Sequence, residues 1–242
     1  MIKHVLTRYV FDRRKRFFSA FLLIGASLWF FEPVYIGHSA SPSLLDWLLE
    51  VSGSLFLLHV IAVLAAVLLF FGATQWLSSS GILSAAKRSR LFLAYVSLGM
   101  FTAAFVIISL LFWSVMIGWF KFNWYGSANI HPFFELASSP VLLIASRLFI
   151  DWWSLCFLIF LGLSGALASK KRLLSLWLPL LWTSGLLALF KLNVSFNGLL
   201  PAEGMLLSIH ANGASLLMIT SANEGAVLIL WCILYRVIKN GR

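Results

Sequence analysis

The chain has 242 residues, 61% of them hydrophobic and 11% charged, with 22 Phe, 11 Trp and a net charge of +10; its mean hydropathy is +0.96. A water-soluble domain must clothe its elements in charge, so this composition excludes one, and the length suits apolar spans of about 20 residues with no sizeable extramembrane domain beside them. The positive charge does not describe a nucleic-acid surface, because the cations stand in small clusters at the ends of apolar runs, where they orient a chain in a bilayer.

In chain order, residues 1–16 place Ile2, Val5, Leu6, Tyr9 and Val10 at helical spacing, with Lys3, Arg8, Arg13 and Lys15 largely off that stripe. This is the pattern of a helix lying in the membrane interface. The first span is expected over 17–36, with Glu32-Pro33 loosening or ending it. The run Arg13-Arg14-Lys15-Arg16 before it resembles that of a secretory leader, but Glu32-Pro33-Val34-Tyr35 lacks the small residues of a cleavage site, so the segment reads as a span. Residues 37–53 follow outside, with Asp46 and Glu50 on a short amphipathic piece.

A second span over 54–77 is interrupted only by His59 and leads to an inner break over 78–90 that ends in Lys87-Arg88-Ser89-Arg90. The third, 91–120, ends in an aromatic belt of Trp119, Phe120, Phe122, Trp124 and Tyr125, and an outer loop follows to residue 139. The fourth, 140–168, contains Arg147 and Asp151, and Lys170-Lys171-Arg172 makes a second inner break. The fifth, 173–190, carries Pro179. Over 191–225 the apolar pieces are too short to cross and are divided by Gly198, Pro201, Gly204 and Gly213, which suits an outer re-entrant segment surrounded by protein. The sixth span cannot consist of 226–238 alone, since about 1.5 Å per residue leaves it short of a crossing, so it must begin upstream near Leu216. The expected fold is therefore an all-α membrane protein with six transmembrane helices, an N-terminal interfacial helix and a re-entrant segment before the last helix.

Of the 18 Lys and Arg residues, 15 fall in the N-terminal segment, the two inner breaks and the C-terminal end, leaving Lys121, Lys191 and Arg147 elsewhere. The rule that cations stay inside then predicts an inner-membrane protein with both termini cytoplasmic.

Chemistry-bearing residues are few. Arg147 and Asp151, four apart, share a helix face and can pair at mid-span, where charges survive only by facing protein or water and finding partners. They read either as a pathway or contact site or as a structural lock between helices. Glu32 and Glu224 stand where apolar segments are broken near the outer side, and either line an outer vestibule with Asp151 or sit as interfacial carboxylates in water. His59 lacks a second His at ligand spacing, which favours a hydrogen-bonded core residue. Trp152-Trp153 either shields Asp151, lines a route, or packs, while Trp29, Trp47, Trp119, Trp124 and Trp177 read as belt residues. Cys156 and Cys232 lie within apolar stretches and imply neither a disulfide nor a metal site. No hydrolase, metalloprotease or phosphate-loop signature is present, since 81–87 lacks the Gly-Lys-Ser/Thr ending, so any ATP would be bound by another chain.

The order of these parts, with the stretch SSGILSAAKRSR followed by LFLAYVSLG, resembles the membrane subunit of ABC type-2 exporters. That resemblance covers almost the whole chain and implies an elbow helix at 1–16, six spans with both ends inside, and a cytoplasmic coupling segment over 78–90. In it Ile82 and Leu83 would enter the cleft of an ATPase, and Lys87, Arg88 and Arg90 would meet its acidic surface or lipid headgroups. Ala85-Ala86 stand where that family carries an acidic residue and Pro. The resemblance further implies a second permease chain, as a homo- or heterodimer with Glu32, His59 and Trp182 near the interface, and ATP with Mg on partner ATPase subunits. No cofactor is expected in this chain. Two other classes stay open: a non-transporting membrane anchor or assembly subunit, and a proton-coupled carrier using Arg147 and Asp151 as its relay.

Overall fold

A computed structural model describes residues 2–36, 44, 47–48, 51, 61–79, 88–121, 140–171, 173–192, 200–201 and 213–240. Every element among these is helical: α1 (Ile2–Asp12), α2 (Arg14–Ile36), α3 (Val63–Ser79), α4 (Arg88–Lys121), α5 (Pro140–Ser169), α6 (Leu174–Lys191) and α7 (Gly213–Asn240). Helices are what apolar runs become in a solvent that cannot hydrogen-bond the backbone. Three helical segments among the described residues are long and apolar enough to cross a membrane, Ser89–Lys121, Ile144–Ser169 and Ser221–Lys239, while the apolar part of α6, Leu174–Leu189, is shorter.

Two limits fall at or near those expected, Ile36 for the first span and a start near Leu216 for the last. Pro33 does not end α2, which continues to Ile36; a proline in the last turn removes one backbone bond and leaves little helix beyond it to disrupt. The last helix starts at Gly213, so the apolar piece 216–219 lies in it, and Ser221, Asn223 and Glu224 are carried within a continuous helix. Residues 54–60 with His59, the stretch 80–87 with Ile82, Leu83 and Lys87, Trp124, and residues 193–199 and 202–212 lie outside the described residues.

The chain turns between α1 and α2 at Arg13, whose carbonyl accepts from the backbone N–H of Arg16 at 2.8 Å and of Phe17 at 3.3 Å. The turn lays Tyr9 and Val10 of α1 against the bundle. Tyr9 is buried, its hydroxyl donates to the Leu69 carbonyl of α3 at 2.8 Å, and its ring meets Phe17 edge-on at 5.6 Å.

Helices α2 and α4 run parallel, because successive residues of one meet successive residues of the other. Phe17 contacts Phe101 and Phe105, Phe21 contacts Phe112 and Trp113, and the Lys121 ammonium lies 4.4 Å from the Trp29 ring centroid. Trp113 also donates to the Phe21 carbonyl at 2.9 Å, and its ring fills the space where a side chain on Gly25 would lie. The basic starts of α2 and α4 therefore share one end of the bundle. Phe92, one turn into α4, meets Tyr235 near the end of α7 at 5.5 Å, which brings Arg236 and Lys239 to that same end.

Helix α5 is the centre. It touches α3, α4, α6 and α7, and every residue over 154–160 is buried. It runs antiparallel to α6: Phe157 meets Trp182, whereas Gly162 and Gly165, further along α5, face Pro179 and Leu178. Trp47 departs from its expected place in the belt. It is fully buried and donates to the Ser114 carbonyl at 2.9 Å, because a buried indole N–H needs an acceptor and the carbonyl supplies one. Trp29, Trp119 and Trp177 are exposed on the bundle surface.

Candidate functional site: a buried ion pair at the centre of the bundle

Arg147, Asp151 and Ser154 occupy positions i, i+4 and i+7 of α5 and so form one stripe along its surface. Asp151 Oδ1 lies 3.8 Å from Arg147 Nε; the arginine side chain is 12% exposed and the aspartate 0%. That separation makes an ion pair but is too long for a hydrogen bond. Neither oxygen of Asp151 has a hydrogen-bond partner among the described residues, and the buried hydroxyl of Ser154, three residues on, has none either. A carboxylate stripped of water and offered only one distant cation is a costly arrangement that most buried charges avoid. Chemically it is an acceptor-rich centre open to a proton, a small cation or a donor group brought by another molecule.

Of the neighbouring tryptophans, Trp152 is hydrogen-bonded to α4, while the buried indole N–H of Trp153 has no hydrogen-bond partner among the described residues. Trp152 donates to the Met100 carbonyl of α4 at 3.3 Å and its ring lies 5.0 Å from that of Trp153, with Phe149 beside both. Its N–H is thus committed to α4 and leaves the carboxylate without that donor. Trp182 donates to the Pro201 carbonyl at 2.9 Å and packs on Phe157. Since Trp182 stands nine residues before the end of α6, or about 13 Å along the helix, the chain after α6 returns to the depth of mid-helix by Pro201.

The other expected site residues are scattered. Glu224 is half-buried on α7, and Glu32 lies in α2 with its side chain outside the described residues. Arg88 opens α4, and Arg90 is exposed in its first turn. Of the expected polar residues, Arg147 and Asp151 are the ones the structure brings into direct contact. Sequence reasoning missed Asn223, fully buried next to Glu224. The available signal was its place on an apolar stripe with Val227, Leu230 and Leu234, all buried at helical spacing. No group of three or more His, Cys, Asp or Glu side chains among the described residues is placed to hold a metal.

No family model matches the chain, and neither a curated protein nor a solved structure matches it.

Proposed function

We propose that this chain is the membrane permease subunit of an ABC type-2 exporter, with six spans, both termini cytoplasmic, and a dimeric partner permease. Its cargo is hydrophobic or amphipathic and crosses the cytoplasmic membrane while separate ATPase subunits hydrolyse ATP with Mg. The observation that carries the reading is the amphipathic α1, turned at Arg13 and fixed through Tyr9 onto Leu69, beside a bundle end where the basic starts of α2 and α4 meet the basic end of α7. An interfacial helix joined to the first span at the cationic end is what an elbow requires, and ATPase subunits would dock at that same end. Closure of the ATPase pair on ATP would push the segment over 78–90, and the spans would rock between inward and outward access, driven by contacts that differ between the two states.

Co-purification tests it. The chain should bring down a partner of ATPase size whose hydrolysis depends on the permease, and Ile82→Asp, Leu83→Asp or Arg88→Glu should remove that dependence. Unchanged hydrolysis in all three contradicts the docking assignment.

A second reading, a proton-coupled carrier, is favoured by the buried Asp151 carboxylate that lacks a hydrogen-bond partner. In a carrier Asp151→Asn abolishes transport; in an ABC complex the same variant leaves ATPase stimulation largely intact.

A further inference from the structure

A groove of about 570 Å³ opens between the first half of α2 and the middle of α3, lined by Lys15, Arg16, Ser19, Leu23, Leu68 and Phe71 among others. Its size falls within the range of roughly 300–1,000 Å³ typical of small-ligand sites. Its chemistry is graded along α2. The cationic Lys15 and Arg16 lie at one end, the Ser19 hydroxyl follows one turn further, and beyond it Ala20 and Leu23 face Ala65, Leu68 and Leu69 with no charge. From Lys15 to Leu23 is eight residues, about 12 Å of helix. Lys15, Arg16, Ser19, Leu23 and Leu68 are all exposed, so the groove opens on the bundle surface and is reachable from lipid.

We propose that this groove is a binding site for one anionic phospholipid, with its phosphate on Lys15 and Arg16, its glycerol ester region at Ser19 and an acyl chain along Leu23 and Leu68. The order of charge, hydroxyl and apolar wall matches the order of groups along such a lipid. A free phosphate leaves the apolar two-thirds of the groove empty, and a zwitterionic headgroup would bring its own cation against the pair. The site rests only on the chain lying in a membrane with its basic end at the headgroup level, and stands whether or not the exporter reading does.

Native mass spectrometry of the full-length chain, released from nanodiscs holding equal amounts of phosphatidylglycerol and phosphatidylcholine of the same chain length, tests the proposal. The wild type should retain phosphatidylglycerol selectively. Each cation near a headgroup contributes about 1 kcal/mol, so K15Q/R16Q should lower that retention about thirtyfold. Ser19→Trp keeps both cations but blocks the apolar part, and should lower retention as well. K170Q/K171Q, on the exposed turn between α5 and α6, should leave it unchanged. Equal retention of the two lipids, or a Ser19→Trp variant that binds like the wild type, each overturns it. Circular dichroism of both groove variants should match the wild type, and because Lys15, Arg16 and Ser19 are exposed, a loss of binding then reads as a loss of the site.

Discussion

Gly162 of α5 lies so close to Pro179 of α6 that a methyl group added to it would stand 2.9 Å from the ring Cγ and 2.5 Å from the Ser175 carbonyl oxygen. The missing side chain is what lets a proline-bearing helix seat against the central one, since small residues allow backbones to approach where lipid offers no hydrophobic drive. Gly162→Leu should therefore destabilise the fold by about 1–3 kcal/mol through overpacking. Gly185, where an added methyl would meet nothing within 4 Å, should accept alanine without loss. Thermal unfolding in detergent separates the two, and equal midpoints would contradict the close packing of α5 on α6.

The ion pair on α5 makes an asymmetric prediction. Asp151 is fully enclosed and Arg147 is not, so Arg147→Met strands a buried charge, whereas Asp151→Leu leaves a cation that can reach toward the surface. Breaking a buried pair from one side costs about 3–5 kcal/mol, and replacing both members with apolar residues is often neutral. Arg147→Met should be the more destabilising single change, and the double variant R147M/D151L should recover most of the lost stability. Transport by the double variant then sorts the roles: a structural lock regains activity with stability, and a proton relay stays inactive.

Tyr9 offers a pH test outside the membrane-spanning segments. Burial pushes its hydroxyl up to about 12, against the opposing pull of the Arg13 and Arg16 charges. Unfolded tyrosine ionises near pH 10, so the folded state favours the neutral phenol. That contribution to stability is complete below pH 10 and is lost as the pH rises toward 12. Tyr9→Phe should cost about 0.5–1.5 kcal/mol at neutral pH through the lost bond to Leu69 and should flatten the decline above pH 10. Melting curves from pH 8 to 11 check it, and parallel declines in the two proteins would contradict the burial of this hydroxyl.

How much of this was legible in the sequence follows from what each element had to satisfy. The helices from Arg88 to Lys121 and from Pro140 to Ser169 match the expected 91–120 and 140–168 closely, because long apolar runs with terminal charges leave few other structures in lipid. The last helix starts at Gly213, close to the start near Leu216 that the length of a crossing required, although Ser221, Asn223 and Glu224 interrupt the apolar run; Asn223 is buried on the stripe it shares with Val227, Leu230 and Leu234. Pairing of Arg147 with Asp151 could be read from a spacing of four, since that register is local. The place of Trp47 beneath Ser114 and the groove between α2 and α3 could not, because both depend on which distant helices meet.

Topology is the most direct measurement. Reporters that fluoresce only in the cytoplasm, fused at Met1 and Arg242 and inserted at Lys171, should all be active, because the basic starts of α2 and α4 and the basic end of α7 lie together and cations stay inside. Activity at Met1 with silence at Arg242 would put the two ends of the chain on opposite faces and contradict both the six-span reading and the docking face for an ATPase.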